Sequence, residues 1–146
     1  MTSGQLDHRQ RTDLRVVRRL GDFEGAWSLS RIISQADGPV CRFEGTATWR
    51  PEGERLAYEE TGEMRMPGQP PMRAERRYLW DADLAVLFPD GRFFHSVPPR
   101  GGRAEHRCAP DHYVASYDFA EWPAFRVTWE VSGPRKAYRS VTRYRR

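Results

Sequence analysis

The stretch "HRCAPDHY" (106–113) sets two imidazoles, a thiol and a carboxylate close together: His106, Cys108, Asp111 and His112. Cysteine beside histidine is the material of an activated thiolate nucleophile, and the same pair can ligate zinc or haem. The spacing argues against both. His106 and Cys108 are two residues apart, so on a strand their side chains run parallel instead of converging, and nothing marks an oxyanion hole. A zinc site needs three or four converging ligands. The sequence has no CxxC, HxxxH or HExxH spacing, although His95 and His112 could lie near. A structural thiol beside a hydrogen-bonded histidine accounts for the motif. No glycine-rich loop follows a strand and opens a helix, so a phosphate cradle is also missing. We therefore expect no metal, no cofactor and no catalytic residue.

Other polar residues share strand faces with aromatics, which is the pattern of a binding cavity. In "RLAYEETG" the alternation puts Leu56, Tyr58 and Glu60 on one face. In "RAERRYLW" it groups Ala74, Arg76, Tyr78 and Trp80, and in "RAEHRCA" Ala104, His106 and Cys108. In the last strand it groups Tyr138, Ser140, Thr142 and Tyr144. If these faces point inward, Tyr58, Glu60, Arg76, Tyr78, His106, Tyr138 and Tyr144 supply most of the polar lining of one pocket. Hydroxyls, a carboxylate, a guanidinium and an imidazole suit a polar or anionic ligand better than a bare hydrocarbon chain. A buried guanidinium needs an anion, and Glu60 is the expected partner of Arg76 when the pocket is empty. The competing explanation is a filled core, in which the Glu60–Arg76 pair fixes register and the tyrosines bond one another. In "RAERRYLW" the opposite face (Arg73, Glu75, Arg77) is equally polar, so a one-residue bulge would exchange Arg76 for Arg77.

The elements that must position these residues are short strands. Ala26–Ile33 alternates, with Trp27, Leu29, Arg31 and Ile33 on one side. "RFEGTATWR" sets Phe43, Gly45, Ala47 and Trp49 against Arg42, Glu44, Thr46 and Thr48. "PEGE" makes a tight hairpin and "PDG" another, while "MPGQPP" and "PPRGG" break the chain. "FRVTWEV" alternates strictly before the final strand. About ten strands at regular spacing imply an antiparallel meander, and closure into a barrel would remove its exposed edges. Ahead of them, "TDLRVVRRL" suggests one helix over 12–20, with Thr12 or Asp13 as N-cap and Gly21 as its stop. Residues 1–11 are expected to be flexible, and 12–146 to form one barrel domain including that helix.

The totals fit this reading. A chain of 146 residues with 12% aromatics, 12 Gly and 11 Pro can build one core without a staple. No run is apolar and long enough to span a bilayer, so no membrane insertion is expected. The N-terminus has no apolar segment of the secretory type, which points to the cytoplasm, where Cys41 and Cys108 stay reduced. The net charge of +4 belongs to the tail: residues 134–146 hold six basic groups and no acid. On a strand Arg139, Arg143 and Arg145 share one face and the tyrosines the other, as on a solvated barrel wall, so nucleic acid is not an expected partner.

A Gly-x-Trp (Gly25, Trp27) opening the first strand, with arginine near the chain's end, resembles the lipocalin and calycin superfamily. The resemblance implies that Trp27 closes one end of a barrel and that an arginine packs across its indole, a cation–π contact. Arg139, Arg143, Arg145 and Arg146 compete for that role; we set Arg146 beside Gly25 and Trp27 in the structural group. "YEETG" (58–62), "RRYLW" (76–80), "DGRFFH" (90–95), "HRCAPDHY" (106–113) and "GPRKAYRSVTRYR" (133–145) resemble an uncharacterised bacterial family of lipocalin-like proteins, a domain of unknown function. That likeness spans about 25–146 and implies a fold without a function. The expectation is an all-β, lipocalin-like closed antiparallel meander barrel of eight to ten strands that binds a small molecule of unknown identity, with homodimer formation left open. Two alternatives stand beside it: a small barrel enzyme acting on a metabolite, and a filled barrel serving as a protein-interaction module.

Overall fold

A computed structural model describes residues 16–146. Ten antiparallel strands form one sheet: β1 (Gly25–Gln35), β2 (Cys41–Glu52), β3 (Arg55–Arg65), β4 (Met72–Trp80), β5 (Ala85–Leu87), β6 (Phe93–Ser96), β7 (Gly102–Cys108), β8 (Asp111–Asp118), β9 (Phe125–Ser132) and β10 (Ala137–Arg145). Their order in the sheet is β6-β5-β4-β3-β2-β1-β10-β9-β8-β7, so the first and last strands pair and the meander curls on itself. β6 and β7 come alongside each other without a ladder between them, and the barrel is nearly closed.

The period-2 pattern decides which side chains go inside. Trp27, Leu29 and Arg31 of β1 are buried, and Ser28 and Ser30 are exposed. Phe125, Val127 and Val131 of β9 are buried, while Arg126 and Glu130 are exposed. β2 and β3 cross very closely at Gly45 and Gly62, which are register partners. A Cβ on Gly45 would collide with the backbone of Thr61 and Gly62, and one on Gly62 with Glu44 and Gly45. Only glycine fits at this crossing.

One end of the barrel is plugged. A single helical turn, α1 (Leu20–Phe23), carries the fully buried Phe23 into the opening. There its ring meets Trp80 at 5.0 Å, Trp122 at 5.3 Å and Phe125 at 5.6 Å between centroids. Trp27 Nε1 donates to the Phe23 carbonyl at 2.9 Å. Arg146 settles the competition among the C-terminal arginines: its guanidinium carbon lies 4.1 Å from the Trp27 ring centre. It also donates to the carbonyls of Asp22 (2.6 Å) and Glu24 (3.2 Å), tying the chain's end to the plug. Gly25 has φ +122°, and a Cβ there would sit 3.2 Å from Arg146 Nη1. The Gly-x-Trp spelling thus has a local cause.

The helix expected over 12–20 needs correction. Residues 12–15 of that span, like the N-terminus 1–11, lie outside the described residues. Val16–Arg19 are not helical, and among the described residues the one helical turn starts at Leu20 and includes Gly21. Val16 and Val17 are exposed, while Leu20 packs against the core, so Val17 does not share a core-facing stripe with Leu20. A short segment with no buried face at Val16 and Val17 gains too little to become helical there. Arg18 instead holds the extended segment against the barrel, with its N–H bonded to the Pro99 carbonyl (2.7 Å) and its guanidinium 4.3 Å over Trp122. The Asp22 carboxylate accepts the Arg19 N–H at 2.8 Å, which sets the start of α1 at the next residue.

Candidate functional site

Beyond the aromatic plug the barrel encloses a cavity of about 360 Å³. Tyr58, Glu60, Arg76, Tyr78, His106, Tyr138 and Tyr144 all line it. β3 and β4 run in register without a bulge there, with Glu60 opposite Arg76 and Glu59 opposite Arg77. Arg77 accordingly stays outside, 3.4 Å from Glu59. The seven residues are not equivalent. Tyr58, Glu60 and Tyr144 are buried, Tyr78, His106 and Tyr138 are half-buried, and Arg76 is 53% exposed at the mouth.

The deep polar group is a connected network with two members, Arg31 and Thr142, that the sequence reading did not name among its pocket residues. Arg31 Nη1 and Nη2 donate to the two carboxylate oxygens of Glu60 at 2.7 and 2.9 Å, and Arg31 Nε donates to Thr142 Oγ1 at 2.7 Å. Tyr58 Oη donates to Glu60 at 2.5 Å and lies 2.9 Å from Tyr144 Oη. The expected Glu60–Arg76 pair is thus secondary: Arg76 Nε is 3.7 Å from Glu60 Oε1, outside hydrogen-bonding range. The reason lies in the register. Arg31 on β1 pairs with Phe43 of β2 and Glu60 on β3 pairs with Ala47, so the diagonal between the two inward side chains crosses the small Gly45 and Ala47. An arginine reaches across them and meets the carboxylate as a fork. The signal was present in the sequence as an arginine on the apolar face of Trp27 and Leu29.

Charge states follow from these contacts. Burial alone would push the Arg31 guanidinium down, but hydrogen bonds to Glu60 and its charge raise it well above the ordinary value. Burial pushes the Glu60 carboxyl up, yet the Arg31 fork, the Tyr58 hydroxyl and the charge of Arg76 hold it below the usual range. Burial raises the Tyr144 phenol to about 12, and it raises Tyr58 as well. Glu60 is therefore a fixed anion inside the barrel and not a group poised to exchange a proton near neutrality.

On the other side the wall is aromatic. Phe88 stacks on Phe94 (4.8 Å, 21° between planes) and Phe94 on Trp129 (5.3 Å, 7°). Phe94 of β6 also meets His106 of β7 edge-on at 5.2 Å, a side-chain contact across the gap between the two unpaired strands. His95 and Tyr117 are lining residues that sequence reasoning missed. His95 is 3% exposed, its Nε2 is 2.7 Å from Tyr117 Oη, and burial with the nearby His106 pushes it down to about 3, so it is neutral. Its Nδ1 has no partner among the described residues, and neither does Nε1 of Trp49, another lining residue. Cys108 is an exposed thiol at the mouth, and Cys41 is a buried one at the start of β2. Among the described residues no three His, Cys, Asp or Glu side chains converge as a metal site would require.

No curated protein matches the sequence. The fold is similar to that of the S-type phycobiliprotein lyase CPES from Guillardia theta, with a TM-score of 0.65 at 8% identity over 94% of this chain and 96% of that one. At that identity the likeness is one of fold, a nearly closed antiparallel β-barrel. Among the described residues no helix is long and apolar enough to cross a membrane. The model of DUF6314, a family of unknown function, matches residues 23–146, from the plugging phenylalanine to the last residue, and the chain belongs to that family.

Proposed function

We propose that the protein binds a small polar or anionic molecule inside the barrel. The observation that carries this is the cavity itself: about 360 Å³, with a charged and hydroxylated floor and an aromatic wall. That volume lies in the range of roughly 300–1,000 Å³ typical of small-molecule sites, and a few fixed polar groups among aromatics is their usual lining. A filled barrel serving only for protein interaction would not leave such a space. The solved barrel with the similar fold is a phycobiliprotein lyase, a precedent for this architecture in an enzyme; the interior here favours binding. Glu60 is neutralised by Arg31, and His95 is buried and bonded to Tyr117, so the two perturbed groups that could serve as acid or base are already engaged. We place the protein in the cytoplasm, since a buried Cys41 and an exposed Cys108, both free, suit a reducing compartment.

Native mass spectrometry of the protein purified from its own host tests this reading. Wild type should carry an adduct of defined mass, and two cavity-filling variants, Ser140→Phe in the interior and Ile33→Trp at the mouth, should lose it while keeping the wild-type circular dichroism spectrum. An adduct that persists in both folded variants would place the ligand elsewhere and sink the proposal.

A further inference from the structure

The two arginines of the cavity differ in what they have left to offer. Arg31 is 7% exposed and uses three of its nitrogens on Glu60 and Thr142. Arg76 makes no hydrogen bond among the described residues and is half in solvent. Among the described residues Glu60 is the single carboxylate of the lining, and the Arg31 fork neutralises it. Counting arginines and carboxylates, the cavity is left with one uncompensated positive charge, and it sits at the mouth. Lys136, which lies near the same rim, is occupied with Asp111 (3.4 Å) and Tyr113 (3.3 Å).

We infer that the cavity is built for a flat, unsaturated mono-anion, whose one acidic group rests on Arg76 and whose ring system lies against the near-parallel planes of Phe88, Phe94 and Trp129. This deepens the ligand-binding reading above and rests on it. Three physical points support it. An anion placed at Arg76 keeps part of its hydration, whereas carrying it down to Arg31 would strip that hydration and displace an existing fork. A planar body extends an array of rings that is already stacked within 7° and 21°, and offset stacking is the favoured geometry for such contacts. Tyr78 and Tyr138, whose hydroxyls make no hydrogen bond among the described residues, stand in the same half-exposed zone to bond the acidic group's remaining oxygens.

A matched pair of fluorescent probes separates the charge from the body. Anilinonaphthalene sulfonate is a flat aromatic mono-anion, and phenylnaphthylamine is the same skeleton without the sulfonate. Wild type should bind the sulfonate more tightly than the neutral probe by at least about three-fold, the effect of a half-exposed ion pair. Arg76→Leu should abolish that preference, and Arg76→Lys should restore part of it. Arg76 is half exposed, so these variants will fold. Ile33→Trp should exclude both probes. If the two probes bind wild type equally, or the preference survives in Arg76→Leu, the anion site is refuted while the ligand cavity stands. If neither probe is lost on blocking the mouth with Ile33→Trp and filling the interior with Ser140→Phe, the cavity reading itself fails.

Discussion

Glu60→Gln removes the carboxylate that faces Arg31 and keeps the size of the side chain. Glu60 is 2% exposed, and the guanidinium it leaves behind is 7% exposed and fixed on Thr142. An arginine cannot shed its proton to escape a dry site. Leaving one charge of a buried pair alone costs about 3–5 kcal/mol, a large share of the roughly 5–15 kcal/mol that holds a domain together. Arg31→Met should cost less, about 2–3 kcal/mol at neutral pH, because the stranded Glu60 keeps Tyr58 and Arg76 and can protonate. That cost should shrink further as pH falls through the carboxylate range. The double variant Arg31→Met, Glu60→Leu should recover most of the loss, since a well-packed apolar replacement of a buried pair is often neutral. Urea unfolding followed by tryptophan fluorescence at pH 7 gives each value, and a double-mutant cycle gives the coupling. Additive single losses, or a Glu60→Gln cost below about 1 kcal/mol, would show that the pair is solvated and that the deep network is not as described.

Other parts of the structure make their own commitments. His95 has a folded value near 3 against 6.5 when exposed, so it contributes stability that is fully present above pH 6.5 and is lost as pH falls toward 3. The slope there should approach about 1.4 kcal/mol per pH unit and flatten in His95→Gln; an unchanged acid limb in the variant would refute the assignment. Glu60, also depressed, adds a second loss that begins only below about its ordinary value of 4.5. At the closed end, Trp27→Ala should cost about 3–5 kcal/mol, as for large buried aromatics, measured by thermal or urea unfolding. Gly25→Ala should cost about 1–2 kcal/mol through its φ of +122° and the crowding of Arg146, and a neutral result would remove the local cause given for the glycine. Thiol titration should count two groups in the unfolded, unreduced chain and, in the native one, a fast Cys108 and a slow Cys41, following their exposure.

Alternation made most of the barrel legible in the sequence. Once a strand is half buried, one correct inward residue fixes all the others, which is why Tyr58, Glu60, Arg76, Tyr78, His106, Tyr138 and Tyr144 could be grouped from four separate strands. What alternation does not carry is the distance between strands across the interior. Arg31 and Glu60 are separated by a whole strand, and their contact depends on Gly45 and Ala47 leaving room between them, a three-dimensional fact with no local spelling. The pairing of His95 with Tyr117 has the same origin, since β6 and β8 are far apart in the sheet order and meet only through the barrel's curvature. The helix expected over 12–20, which fails at Val16–Arg19, rested on apolar spacing together with cap and stop residues. Three residues at helical intervals do not say whether a surface waits to receive them, and here Val17 faces water. Arg146 could not be singled out from its three neighbours by pattern because it lies just beyond the last strand, where alternation no longer applies.

The central claim is that a ligand enters the barrel, and the five indole N–H resonances report on it directly. Trp49, Trp80 and Trp129 line the cavity, while Trp27 and Trp122 belong to the plug and are not among its lining residues. In a ¹⁵N–¹H NMR titration with anilinonaphthalene sulfonate, the Trp129 indole and the Arg76 Nε–H should shift together and saturably, with Trp27 and Trp122 still. Shifts confined to Trp27 and Trp122, or to the outer surface around Arg126 and Arg143, would contradict the account.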